Sequence, residues 1–373
     1  MKTGLNIVIL GLSITSSWGN GHATTYRGLV RALVERGHDV LFLERDVPWY
    51  ADSRDLPDPP YGRLALYSDI ADLKARFEAA VRSADLVIVG SYVPEGVAVA
   101  QWAIETAGGL TGFYDIDTPV TLAKLKRADE EYLSASLIPH FDLYLSFTGG
   151  PTLVRLEQQY GARCARALYC SVDPSLYFAE PAERRWDLGY LGTYSIDRQP
   201  ALDRLLVQPA RLWSEGRFAV AGAQYPGEID WPANAERFEH IPPAEHRAFY
   251  NAQRFTLNVT RADMITAGWS PSVRLFEAAA CAVPIISDWW DGLDTLFTPD
   301  AEILVAKSPE TALQILREMP ERQREKIGRA GRDRVLSAHT AEHRAMELEG
   351  YVAEALSRAQ TKGPLRRAAL GRR

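Results

Sequence analysis

The segment Gly268–Asp288, GWSPSVRLFEAAACAVPIISD, decides how this chain is read. It opens on the turn-forming Ser270-Pro271-Ser272. Leu275, Phe276, Ala279 and Ala280 follow at helical spacing, and Pro284 stops the helix before the buried-strand pair Ile285-Ile286. The first N–H groups of a helix have no partner within it and sit at the positive end of its dipole, so the start near Ser272 suits an anion. Ser270 and Ser272 add hydroxyl donors. Arg274 adds a fixed positive charge whose planar fork fits phosphate. Glu277, about one helical turn later, lies on the same side, where a carboxylate suits the hydroxyls of a ribose. A diphosphate followed by a ribose is what a nucleotide-sugar presents. The same spacing also fits an amphipathic helix with an Arg274–Glu277 ion pair on a solvated face.

The run SPSVRLFEAAACAVPIIS resembles the signature of the group 1 glycosyltransferase superfamily, most closely its CgeB-like branch. The resemblance implies a GT-B fold: α/β, two Rossmann-like domains with parallel sheets facing a central cleft. It implies transfer of a sugar from a nucleoside-diphosphate-sugar donor to an acceptor, with retention, without a bound metal and with no cofactor required. The chain departs from the pattern twice. Many group 1 enzymes carry a Glu eight residues before the one matching Glu277, and here that position is Trp269. The usual Gly after the small-residue helix is Ala282.

Working back to the N-terminus, Leu5 to Leu10 reads as a buried strand followed by a glycine loop, in preference to a signal peptide. The loop Gly11 to Gly21 ends in Gly19-Asn20-Gly21-His22, and a helix from Ala23 to Arg36 and a strand from Val40 follow. This β–loop–α–β unit is Rossmann-like, although its glycines do not complete a dinucleotide fingerprint. The loop resembles the first loop of GT-B enzymes, which makes Gly19, Asn20 and Gly21 an expected acceptor-side loop. His22 is then either an acceptor contact or base, or a structural histidine at a helix start; His38 reads as structural. Pro48 to Gly62 reads as a surface loop.

Farther on, Gly112-Phe113-Tyr114 leads into Asp115-Ile116-Asp117-Thr118-Pro119. Carboxylates that leave a strand at its C-terminal edge stand where open α/β sheets bind ligands. Alternation along an extended chain aims Asp115 and Asp117 the same way. They are candidates to hold sugar hydroxyls or to act as a base, with Asp117 ahead of Asp115; a divalent-metal site or an Asx-turn before proline uses the same residues. Cys170-Ser171-Val172-Asp173-Pro174 resembles the superfamily's interdomain crossover.

In the second half, a strand from Trp186 to Leu191 ends at Gly192-Thr193, and Arg198 follows. Group 1 enzymes often place an Arg and a Lys at the positions of Thr193 and Arg198, on the donor diphosphate. Gly192, Thr193, Arg198, Arg261, Ser270, Pro271, Ser272, Arg274 and Glu277 are therefore the expected donor-binding set, Arg198 fitting a solvated helix start equally well. The expected domains are 1–172 with a crossing helix near 345–360, 173–344 for the donor, and a disordered basic tail at 361–373.

A length of 373 residues accommodates two domains, and a net charge of −6 opposes wholesale nucleic-acid binding. Only the tail KGPLRRAALGRR runs basic, so a DNA acceptor is less favoured than a glycan, small molecule or protein. Three cysteines form neither a metal spacing nor an even disulfide set, which fits a reducing, cytoplasmic setting. No stretch of about 18 apolar residues suggests a membrane span. Two other functions fit the same features: a nucleotide-sugar 2-epimerase of this fold, and a non-catalytic scaffold that keeps the donor pocket.

Overall fold

The computed structural model describes residues 4–18 and 21–361. The expected loop residues Gly19 and Asn20 and the basic tail from 362 lie outside the described residues. The chain divides into two compact units, Met1–Tyr169 with Ala341–Arg373, and Cys170–Thr340.

The first unit holds strands β1 (Asn6–Gly11), β2 (Asp39–Arg45), β3 (Arg63–Tyr67), β4 (Leu86–Gly90), β5 (Leu110–Asp115), β6 (Leu143–Ser146) and β7 (Ala165–Ala167). They form one parallel sheet in the order β3-β2-β1-β4-β5-β6-β7. The sheet is buried on both faces because its strands are almost continuously apolar. Val8, Leu10, Leu41, Leu43, Val87 and Val89 enter one core, and Ile7, Ile9, Val40, Phe42, Leu86 and Ile88 the other. That division is the period-2 alternation of strand side chains. The helix Ala341–Thr361 closes the second face: Ala345, Leu348 and Val352 pack with Leu29 and Leu33 of the helix His22–Glu35. A bidentate pair, Arg36 Nε and Nη2 each 2.7 Å from the Glu349 carboxylate, fixes its register. His38 is structural. Its Nδ1 accepts the Leu5 N–H at 3.0 Å, and its Nε2 meets Glu349 at 2.8 Å.

The second unit repeats the plan. Strands β8 (Trp186–Leu191), β9 (Phe218–Ala221), β10 (Ala235–Phe238), β11 (Gln253–Asn258), β12 (Ile285–Ser287) and β13 (Leu304–Val305) pair in parallel in the order β10-β9-β8-β11-β12-β13. In each unit the first strand lies between the second and fourth, so the connections leave in opposite directions there. Ligands of open α/β sheets bind in that crevice, outside the strand C-termini. The loops concerned follow β1 and β4 in the first unit, and β8 and β11 in the second. Two strands not expected from sequence, β3 and β10, lie at sheet edges and are largely half-exposed. Pro48–Ala51, expected as loop, is a single helical turn.

Candidate functional site

The second unit's crevice is built around the helix Val273–Ala280, whose N-cap is Ser272. The Ser272 hydroxyl does not cap that helix; it donates to Asn258 Oδ1 at 2.8 Å. Asn258, fully buried at the end of β11, uses its whole hydrogen-bonding capacity. Its Oδ1 also accepts from Arg274 Nη1 at 3.1 Å, and its Nδ2 donates to Thr260 and Ser287 hydroxyls at 3.2 and 2.9 Å. Asn258 was not singled out in the sequence.

Arg274 is 7% exposed and Glu277 4%, which excludes a solvated ion-pair face. Arg274 Nε donates to the Leu191 carbonyl, and its guanidinium lies 4.8 Å from the Tyr190 ring centroid. Arg198 Nη2 donates to the Thr193 carbonyl at 2.7 Å. Two guanidinium groups thus flank the tip Leu191-Gly192-Thr193. A Cβ on Gly192 would sit 2.7 Å from Arg274 Nη2 and 2.6 Å from the Tyr190 hydroxyl, so a larger residue there displaces those side-chain ends. Among the described residues neither arginine has a carboxylate at ion-pair distance, and Arg198 Nε is buried without a hydrogen-bond partner. Burial and the neighbouring charges of Arg274 and Arg261 lower the proton affinity of Arg198, although a guanidinium stays charged. Arg261 stands at the start of the helix Ala262–Ala267, its Nε 3.9 Å from Asp197. Ser270 is buried, and Pro271 O accepts from the Cys170 thiol at 3.4 Å. Uncompensated positive charge beside an uncapped helix start suits a polyanion.

Glu277 accepts from Tyr250 at 3.2 Å. Burial pushes its carboxyl up to about 7, against the opposing hydrogen bonds of Tyr177 and Tyr250 and the charge of Arg274. Trp269, where a second Glu was looked for, is half-buried with a left-handed φ of 42°. A Cβ on Gly292 would come within 2.5 Å of its indole, so the ring packs flat on that glycine. Ala282 takes a φ of 54°, the conformation that glycine adopts more readily.

In the first unit, His22 opens its helix half-buried, and burial lowers its pKa to about 4, so the ring is neutral at pH 7. Gly21 is the exposed N-cap residue of that helix. The structure corrects the expectation that Asp115 and Asp117 point the same way. β5 ends at Asp115, which is fully buried, whereas Asp117 has left the strand as N-cap of Thr118–Lys126 and is half-buried. Asp115 accepts from Tyr144 at 2.6 Å and from Thr121 at 2.7 Å, and burial raises its pKa to about 6. Asp117 Oδ2 accepts from the Tyr92 hydroxyl at 3.1 Å, and the Tyr92 ring meets His22 edge-on at 5.4 Å. Tyr92, at the end of β4, was not singled out in the sequence. Among the described residues no group of three or more His, Cys, Asp or Glu side chains is placed to hold a metal ion. No helix of the described residues is long and apolar enough to cross a membrane.

A family model described as glycosyl transferase-like matches residues 198–350. No curated protein sequence matches the chain. Among solved structures, sucrose-phosphate synthase from Thermosynechococcus elongatus is 14% identical with a TM-score of 0.67, covering 95% of this chain and 100% of the other. HepE of Anabaena, solved with UDP and glucose, is 13% identical with a TM-score of 0.69 and the same coverage. An alpha-glucosyltransferase solved with UDP-glucose and DNA containing an abasic site is 12% identical with a TM-score of 0.69, covering 94% of this chain and all (100%) of that one. At such identities the likeness concerns the fold: two Rossmann-like parallel-sheet domains of the GT-B type, α/β throughout.

Proposed function

We propose that this protein is a glycosyltransferase of the CgeB-like branch, moving a sugar from a nucleoside-diphosphate-sugar to an acceptor hydroxyl. One observation carries the reading: Arg198 and Arg274 flank the Gly192 tip without ion-pair partners among the described residues, beside the helix start at Ser272. The UDP and UDP-glucose bound by HepE and the alpha-glucosyltransferase favour a uridine nucleotide for this chain as well.

In the reaction, the bond from the anomeric carbon to the diphosphate breaks and its electron pair stays on the diphosphate oxygen. Arg198, Arg274 and the helix dipole offset the charge that gathers there, with Arg261, Thr193 and the Ser270-Pro271-Ser272 turn around it. Glu277 holds the ribose. The acceptor oxygen bonds to the anomeric carbon on the same face that the diphosphate leaves, which keeps the configuration, and its proton passes to Asp117, with His22 as a neutral acceptor contact. Retention, and activity without a bound metal, follow from the family resemblance; arginine then supplies the positive charge. Three buried thiols, Cys164, Cys170 and Cys281, fit a cytoplasmic setting.

The test is turnover of a panel of UDP-, GDP- and ADP-sugars against glycan and small-molecule acceptors, read as released nucleoside diphosphate. The expected outcome is acceptor-dependent release from a UDP-sugar, reduced at least about 100-fold in Asp117→Asn. Release from no donor under any condition argues against a transferase. Wild-type rates in Asp117→Asn remove Asp117 from the chemistry.

A further inference from the structure

The first unit's crevice holds a side chain that the proposed chemistry leaves unused. Tyr92 lies just past β4, where the loops after β1 and β4 diverge. Its backbone is left-handed, with φ at 62°, a conformation that aromatic residues rarely adopt and that clusters at functional sites. The surroundings enforce it. Ser91, fully buried, donates its N–H to the Tyr114 carbonyl at 3.0 Å and accepts the Ile116 N–H on its hydroxyl at 3.1 Å. The β4 and β5 edges are thereby laced together at Ser91, immediately before Tyr92. Behind it, the Tyr132 ring packs tilted at 4.5 Å between centroids, and the Tyr132 hydroxyl contacts Thr121 at 2.8 Å. In front, the Tyr92 hydroxyl reaches Asp117 Oδ2 and its ring meets the edge of His22. One constrained phenol therefore touches both expected acceptor-side groups, which come from different elements.

We propose that Tyr92 is a positioning residue of the acceptor-side site, holding the Asp117 carboxylate and His22 in one arrangement for an incoming hydroxyl. The inference rests on the transferase reading for its chemistry, while its physical content concerns Asp117 alone. A phenol that donates to one carboxylate oxygen stabilises the ionised form of the acid. Among the described residues the groups that face Asp117 include Tyr92 from the β4 edge and Asp115 from β5, with Tyr132 behind Tyr92 and His22 at its ring edge. Asp115 acts from within. It accepts the Asp117 N–H at 3.3 Å, and Thr121 bridges it to the Asp117 carbonyl at 2.7 and 3.3 Å, so the buried carboxyl anchors the turn.

Tyr92→Phe keeps the ring and removes only the donor. Carbon-13 carboxyl NMR of the full chain, with the Asp117 signal assigned by its loss in Asp117→Asn, reads the consequence directly. The expected result is a rise in the proton affinity of Asp117 of about three- to tenfold, a midpoint moved upward by about half to one pH unit. An unmoved midpoint overturns the proposal, since a purely structural tyrosine leaves it in place. A second arm measures UDP-glucose turnover: Tyr92→Phe loses several-fold in kcat on the acid side, recovers as pH rises, and keeps the donor KM. Loss of kcat by the same factor at every pH overturns the positioning role. If wild-type protein turns over no nucleotide-sugar, the transferase reading fails, and if Asp117→Asn keeps wild-type rates, Asp117 leaves the chemistry; in either case the NMR midpoint still decides for or against Tyr92.

Discussion

A carboxyl buried as deeply as Glu277 makes the fold itself sensitive to pH. Its ordinary value of 4.5 applies to the unfolded chain, and burial carries it to about 7 in the folded one. The folded state therefore binds the proton more tightly. The associated stability is complete below about pH 4.5 and is lost as pH rises through 7. Glu277→Gln mimics the neutral acid and removes this dependence. Relative to wild type, that variant gains at pH 8 over pH 5 by up to about 3 kcal/mol in urea unfolding; an equal difference at both pH values sinks the assignment. Gly192→Ala acts at the same scale. Its Cβ would lie 2.7 Å from Arg274 Nη2, so the guanidinium has to move. UDP affinity is expected to fall at least about tenfold, about 1.4 kcal/mol, in calorimetric titration; an unchanged affinity places the phosphates elsewhere. Arg274 and Glu277 could be singled out because charged residues at fixed spacing within one motif carry a pattern, and Arg198 because it stands where group 1 enzymes often place a Lys. Tyr92 and Asn258 could not. Each is a lone residue at a strand end, and its partners lie 25 positions on for Tyr92 and 14 and 16 on for Asn258. Only the fold brings them together.

Among the elements, the apolar strand β1 and the helix Val273–Ala280 followed directly from the sequence pattern, because burial on both faces or along one stripe leaves a strong signal. The edge strands β3 and β10 escaped, since a strand half open to solvent tolerates Arg63, Glu236 and Arg237 and loses its alternation. Asp115 and Asp117 were read as one extended pair although Asp117 at the N-cap followed by Pro119 marks a helix start, which ends the pairing with β6 at Asp115. The C-terminal helix is the element whose loss tests the fold best. Leu348 is 1% exposed within the core it shares with Leu29 and Leu33. Leu348→Ala should cost about 2–4 kcal/mol in urea unfolding. A change under about 0.5 kcal/mol would mean that the helix does not seal the first unit's sheet.

At the scale of the whole molecule, both units carry the same strand order, and both candidate sites fall at the point where that order reverses. In the first unit the point gathers His22, Tyr92 and Asp117, which are proton-handling and hydroxyl-bonding groups. In the second it gathers Arg198, Asn258 and Arg274, which suit phosphate. The two copies of one architecture thus present chemistry of two kinds. The claim beneath all of this is that the arginine crevice holds a nucleoside diphosphate. Isothermal titration of the full chain with UDP tests it, alongside Arg198→Ala and Arg274→Ala variants whose folding is checked by circular dichroism. The account predicts saturable binding to wild type, weakened at least about tenfold in each folded variant. Absence of binding to wild type, or equal affinity in all three proteins, would contradict it.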